Sequence, residues 1–253
     1  MKRLASLADA IVIWGGDEAV KAVRNLAEPS CRIIEWGHKV SFAYVTAQGI
    51  RQENLACLAD HMLDTEQILC SSCQGIYLDT EDEDVMETFC HDFSRILETA
   101  ARSRPEKDMG YRARNTLRVY NSSLEAAVYQ QKQVYSHRIT SVTRETFPGL
   151  TSSLMFGNCW VKYLRREDIL RVLREYSGYL QTVFLLCGED EREDLSRLLY
   201  RAGAVQIHHP ESPAFCRYPL PHDGEYPLRR YSKYVTSLSC PPHSRAGIFV
   251  GNL

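Results

Sequence analysis

Cys70 and Cys73, in the stretch Gln67-Ile68-Leu69-Cys70-Ser71-Ser72-Cys73-Gln74-Gly75, are the residues whose types and spacing most clearly suggest chemistry. Helical periodicity precedes the stretch and a short apolar run follows it. A thiol on such a junction loop can face a cleft while rigid elements hold it, which is what a nucleophilic cysteine requires. The CxxC spacing opens two further readings, a metal site or a redox pair. Structural zinc needs four ligands, commonly two close pairs. The one His pair, His208-His209, is adjacent in sequence, so a strand would turn the two rings to opposite faces. A thioredoxin-like pair opens a helix after a strand, whereas here a strand follows the motif. The plain alternative is a buried, inert thiol.

Glu35, 35 residues ahead of Cys70, ends an apolar run just before Gly37. A carboxylate at a strand end is usually solvated, but beside a cleft it can act as a general base. Gly15-Gly16 forms a second candidate site. A glycine turn before a helix lets backbone N–H groups approach a phosphate. Asp17 and Glu18 suit the helix dipole there but would repel a nearby phosphate, so a tight turn with an Asp17 N-cap is an equal reading. His222-Asp223-Gly224 reads as a turn rather than a catalytic pair. Arg229, Arg230 and Lys233 read as a solvated face or, more weakly, as a contact for phosphate groups.

The elements that must position these residues alternate. Residues 10–14 read as a strand, a helix follows Gly16, and residues 31–34 and 40–45 read as two more strands. This is the grammar of a mostly parallel α/β sheet. Helical spacing predicts helices over 51–66, 82–102 and 111–134, with a strand at 75–79 after the Cys70 loop. Strands follow over 138–144 and 158–164. A clean alternation closes the pattern: helix 166–177, strand 180–187, helix 189–202 and strand 204–208. Gly178 and Gly203 stand where helix C-caps fall. From 209 the chain is rich in Pro, His and Gly, with one short element near 229–235.

The 253 residues are 44% hydrophobic and 25% charged, an ordinary globular composition with ample core. A formal net charge of -2 implies no general attraction to nucleic acid or anionic membrane. No apolar run is long enough to span a bilayer. Nine cysteines without a repeating spacing fit a reducing, cytoplasmic setting better than a disulfide framework.

At Glu35-Trp36-Gly37-His38-Lys39 and at Cys70 the sequence resembles the aldehyde dehydrogenase superfamily. More closely it resembles the acyl-CoA reductases of the LuxC type, the fatty acid reductase subunit of bacterial luminescence systems. Trp14-Gly15-Gly16-Asp17-Glu18-Ala19, Gly37 through Ala43, Cys70-Ser71-Ser72 with Gln74, Leu180-Gln181-Thr182-Val183 and Pro221-His222-Asp223-Gly224 carry the likeness, which runs from about residue 8 to 236. The resemblance implies an aldehyde-dehydrogenase-like catalytic domain with a truncated Rossmann-like nucleotide-binding portion. The implied boundaries are 1–47 for the partial nucleotide-binding domain, 48–236 for the catalytic cysteine domain and 237–253 for an atypical tail. It implies Cys70 as nucleophile and Glu35 as base, with Gly15, Gly16 and Gly37 at the cofactor. It also implies NADPH-dependent reduction of a long-chain fatty acyl-CoA to the aldehyde through an acyl-cysteine thioester. Homo-oligomers, or acyl-transfer and synthetase subunits, are the implied partners. Relatives begin upstream of the position matching Met1. A non-catalytic remnant or interaction module of the same fold, without cofactor binding, therefore stands as the alternative.

Overall fold

The computed structural model of the chain describes residues 2–105, 108–129, 132–209, 221–237 and 249–251. Its contacts divide it into two compact units, Met1–His38 with Cys216–Leu253, and Lys39–Phe215.

The first unit opens with a short helix α1 (Lys2–Ala5), then β1 (Ala10–Trp14), α2 (Asp17–Arg24) and β2 (Arg32–Trp36). β1 and β2 pair in parallel, from Ala10 opposite Arg32 to Trp14 opposite Trp36. Parallel neighbours need a crossover, and α2 supplies it. Gly16, not Asp17, is the N-cap of α2. It has extended backbone and no side-chain cap, so Asp17 and Glu18 occupy the first turn, where the helix dipole favours acids.

The second unit contains β3 (Val40–Val45), α3 (Gln52–Asp64), β4 (Cys73–Leu78), α4 (Glu83–Arg102), α5 (Met109–Tyr129), β5 (Lys132–Ser136), β6 (Ser141–Glu145) and β7 (Asn158–Tyr163). It continues through α6 (Ile169–Leu173), β8 (Leu180–Leu186), α7 (Arg192–Ala202) and β9 (Gln206–His208). The seven strands lie in the order β5-β6-β7-β4-β3-β8-β9, and every neighbouring pair is parallel except β5–β6. The chain returns to the first unit with α8 (Pro227–Tyr231), β10 (Val235–Ser237) and β11 (Phe249–Gly251), the last two antiparallel.

Alternation along the central strands builds two cores. Ala43, Val45, Ile76 and Leu78 turn to the face covered by α3 and α4, where Leu58, Met62, Phe89, Phe93 and Leu97 meet them. Phe42, Tyr44, Tyr77 and Val183 turn to the other face, against Ile169 and Leu173 of α6 and Leu195 and Leu199 of α7. β3, β4 and β8 are therefore buried on both faces, as central strands of a parallel sheet are. Gly75 is required by this packing, since a Cβ there would lie 2.1 Å from the Trp160 ring.

Several expectations shift. The sequence pattern groups residues 40–45 with the N-terminal segment and residues 216–236 with the catalytic segment. In the structure β3 is central to the second unit's sheet, and the described residues from 221 onward belong to the first unit. The helix expected over 111–134 stops at Tyr129. Val134 and Tyr135, β-favouring residues, then form an edge strand antiparallel to β6. The element expected over 166–177 is α6 flanked by 3-10 turns, and Gly178 is not left-handed; Gly203 is, at φ 114°, and caps α7 as expected. Of the stretch from 209 onward, residues 210–220 and most of the 237–253 tail lie outside the described residues.

Candidate active site

Cys70 sits in the loop between α3 and β4, half-buried, at the end of the sheet where β3, β4 and β7 begin. Ligands of open parallel sheets usually gather at the carboxyl ends of strands. This loop lies at the opposite, amino end.

Side chains tie the loop down. The Ser41 hydroxyl donates to the Cys70 carbonyl at 2.7 Å and accepts the Thr182 N–H at 3.0 Å. The Ser72 hydroxyl accepts the Leu69 N–H at 3.0 Å, closing a small ring around Cys70. Gln67 is 1% exposed and left-handed at φ 58°. Its amide nitrogen donates to the Cys73 carbonyl at 3.0 Å, and its amide oxygen accepts the Gly157 N–H at 3.0 Å. Gln74 donates to the Gln67 carbonyl at 2.7 Å and accepts from the Ser153 hydroxyl at 2.9 Å. The Phe156 N–H reaches the Glu66 carbonyl at 3.0 Å. Two left-handed turns, Glu66-Gln67 and Met155-Phe156-Gly157, are thereby stitched together. Four of these five residues are not glycine, so the conformation is held by the surrounding bonds.

The two cysteines of the CxxC differ sharply. Cys73 is the first residue of β4 and fully buried. Its thiol donates to the Gly75 carbonyl at 3.3 Å, and burial pushes its pKa well above the ordinary value. Such a thiol is inert. The Cys73 N–H donates to His61 Nε2 at 3.3 Å, and burial holds the His61 pKa down at about 4, so this imidazole is neutral. Ile68 and Leu69, just before Cys70, are 57% and 52% exposed, an apolar surface beside the thiol loop. Among the described residues no group of three or more His, Cys, Asp or Glu side chains is arranged to hold a metal ion.

Glu35, Gly15, Gly16 and Gly37 lie in the first unit and Cys70 in the second. Ile34 and Trp36 turn to the buried side of β2, which leaves Glu35 on the other side. There the Arg24 guanidinium, at the end of α2, holds it as a two-armed ion pair whose second contact is 2.6 Å. Hydrogen bonding from Arg24 lowers the Glu35 pKa below the usual carboxylate range. The Gly15 N–H donates to the Trp36 carbonyl at 3.2 Å, bringing the Gly15-Gly16 turn beside the end of β2. A Cβ on Gly15 would press on Ala19 at 3.0 Å, a tight fit against α2; at Gly16 and Gly37 a Cβ would meet nothing within 4 Å. That open backbone suits a flat ring laid against it, and in this respect the residues present fit a nicotinamide.

The His222-Asp223-Gly224 segment is a turn, as expected. Asp223 and Gly224 have φ 52° and 81°, and His222 and Glu225 bond across it. The His222 and Asp223 side chains still approach to 3.5 Å. The turn packs on Trp36, which stacks on Trp14 at 5.3 Å, meets His222 edge-on at 4.8 Å and donates to the Tyr231 hydroxyl at 2.9 Å. Arg230 is not a solvated charge. It lies 4.4 Å over the Trp36 ring, pairs with Glu225 at 2.8 Å and donates to the Glu35 carbonyl.

Sequence reasoning did not assign roles to Ser41, Gln67, Gln74 and Ser153. A serine inside an otherwise apolar strand was the one available signal, at Ser41; left-handed, non-glycine Gln67 carries none.

The seven-stranded sheet with helices on both faces, and a cysteine loop at the amino end of its central strands, define an aldehyde-dehydrogenase-like fold. Solved structures with this fold include the bifunctional proline utilization A (PutA) protein, at TM-score 0.60 and 15% identity over 97% of this chain and 26% of that one. The Delta-pyrroline-5-carboxylate dehydrogenase from Mycobacterium tuberculosis aligns at TM-score 0.57 and 12% identity, over 90% of this chain and 48% of that one. An indole-3-acetaldehyde dehydrogenase complexed with NAD+ aligns at TM-score 0.59 and 11% identity, over 82% and 45%. The chain thus spans between about a quarter and a half of the length of these proteins. The chain belongs to the LuxC acyl-CoA reductase family, whose model, described as "Acyl-CoA reductase (LuxC)", matches residues 1–234. No match was found among curated protein sequences.

Proposed function

We propose that this chain carries the thioester-forming centre of a fatty acyl-CoA reductase, with Cys70 as the nucleophile. The observation that carries this reading is the Cys70 loop itself. In a chain of this family, a half-buried cysteine stands on a loop held by buried polar side chains, with exposed Ile68 and Leu69 beside it. Apolar side chains next to the nucleophile suit a long acyl chain.

The Cys70 thiolate attacks the carbonyl carbon of the acyl-CoA. A new S–C bond forms, the bond to the coenzyme A sulfur breaks, and coenzyme A leaves as its thiolate. Exchange of one thioester for another is close to thermoneutral, and positioning the sulfur against the carbonyl carbon lowers its barrier. The Cys70 backbone N–H is the candidate oxyanion donor. Glu35 is the candidate base, managing protons as the thioester is consumed. NADPH, when bound, would supply a hydride to the thioester carbon, and the bond to the Cys70 sulfur breaks to release the aldehyde and restore the thiolate. Gly15, Gly16 and Gly37 would hold its nicotinamide end.

Incubation with palmitoyl-CoA, followed by intact-protein and peptide mass spectrometry, tests the reading. One acyl group on Cys70, lost in Cys70→Ala, is the expected result. An absence of acylation in the parent would overturn it. The second reading, a non-catalytic module of the same fold, draws on the Arg24–Glu35 pair, because a carboxylate held by a guanidinium is a weaker base. It requires that same absence of acylation.

A further inference from the structure

We infer that Gln67 is a positioning residue for Cys70, holding the thiol loop against the turn before β7 in the conformation that thioester formation needs; this rests on the reading of Cys70 as nucleophile. Gln67 is a long polar side chain, 1% exposed, whose two amide ends are both used, one on each side of the loop. Its nitrogen fixes the Cys73 carbonyl, where the loop enters β4, and its oxygen fixes the Gly157 N–H, where the partner turn enters β7. Its own carbonyl is taken by Gln74. Cys70 is therefore spanned. Gln67 anchors the chain ahead of it and Cys73 behind it, and Ser41 holds its carbonyl in the middle.

Gln67 is also left-handed at φ 58°, directly after left-handed Glu66. A non-glycine pair in that region persists only where surrounding bonds over-determine it. The bonds at hand are those of the Gln67 side chain and the Phe156–Glu66 bond. Without the amide, the Cys73 carbonyl and the Gly157 N–H each lose a bond, and the loop gains freedom at Ile68 to Ser72.

Chemical consequences follow from what each reaction demands of the thiol. Attack on a thioester needs the sulfur aligned with the carbonyl carbon and an oxyanion donor in place, and small misplacements cost large factors in rate. Alkylation by a small haloamide makes no such demand.

The test compares the parent with Gln67→Met, which keeps size but makes neither bond, and with Gln67→Glu. In Gln67→Met, Cys70 acylation by palmitoyl-CoA is expected to slow by at least about tenfold. Iodoacetamide alkylation of Cys70 is expected not to slow, and amide exchange in residues 68–72 should quicken. In Gln67→Glu an ionised carboxylate faces the Cys73 carbonyl, while the protonated form can donate to it. The acylation rate relative to the parent should therefore recover as pH falls. Parent-like acylation in a folded Gln67→Met, or acylation and alkylation slowed by the same factor, overturns the inference. If Gln67→Met fails to fold, a Gln67→Glu ratio that stays flat with pH overturns it. If the parent itself is not acylated, the reading of Cys70 fails instead. Amide exchange then decides the clamp, and unchanged exchange in 68–72 refutes it.

Discussion

The hydroxyl of Ser41 donates to the carbonyl of Cys70 at 2.7 Å, linking the start of the central strand β3 to the residue that carries the candidate nucleophile. The same oxygen accepts the Thr182 N–H from β8, so one buried hydroxyl joins two strands and the loop. Ser41→Ala removes both of these bonds. It is expected to cost about 1–3 kcal/mol in urea denaturation and to slow Cys70 acylation. An unchanged unfolding midpoint with unchanged acylation would show the bond to be dispensable.

Cys73 is fully buried, with its thiol pKa pushed up by desolvation. Cys73→Ala is therefore expected to keep Cys70 acylation within a few-fold of the parent, at a cost in stability. Cys70→Ala should abolish the acyl adduct and leave stability nearly untouched. Peptide mapping of the adduct and a thermal melt of each variant check both halves.

His61 gives the fold an acid limit. Its pKa is about 4 in the folded chain against 6.5 for the free side chain, because burial disfavours the imidazolium. The unfolded chain binds the extra proton first. The stability from neutral His61 is thus complete above pH 6.5 and is lost as pH falls from 6.5 towards 4. The full loss is roughly 3 kcal/mol. In His61→Gln the amide oxygen can still accept the Cys73 N–H and does not titrate. Denaturant titrations from pH 8 to 4 should give a steeper decline in the parent than in this variant.

Trp36 organises the first unit. It is 3% exposed, stacked on Trp14, met by His222 and Arg230, and bonded to Tyr231. Trp36→Ala is expected to cost about 3–5 kcal/mol of local stability. Amide exchange should speed up over 221–231, and the exchange of β3 and β4 should stay as in the parent.

Much of this was legible in the chain. Alternation of apolar runs with helical periodicity gave an α/β, mostly parallel sheet, because period 2 and period 3.6 are written directly into residue order. The Glu35 and Cys70 motifs gave the family. The boundary of α5 is not marked locally, because the β preference of Val134 and Tyr135 is weak until pairing with β6 selects the strand. The Arg230–Trp36 contact was invisible, since it joins residues far apart in sequence.

The Cys70 loop shows the division most sharply. Residue order alone placed one cysteine between a helix and a strand and made it the candidate nucleophile, because local periodicity fixes where elements end. Which of the two CxxC thiols is buried, and what holds the other, depended on the tertiary structure. Those outcomes come from Ser153 and Gly157 of the β6–β7 connection and Ser41 of β3, which meet the loop and the start of β4 from elsewhere in the chain. Left-handed backbone at Gln67 leaves no mark in the sequence, because a non-glycine residue adopts it only when distant partners compensate for its strain.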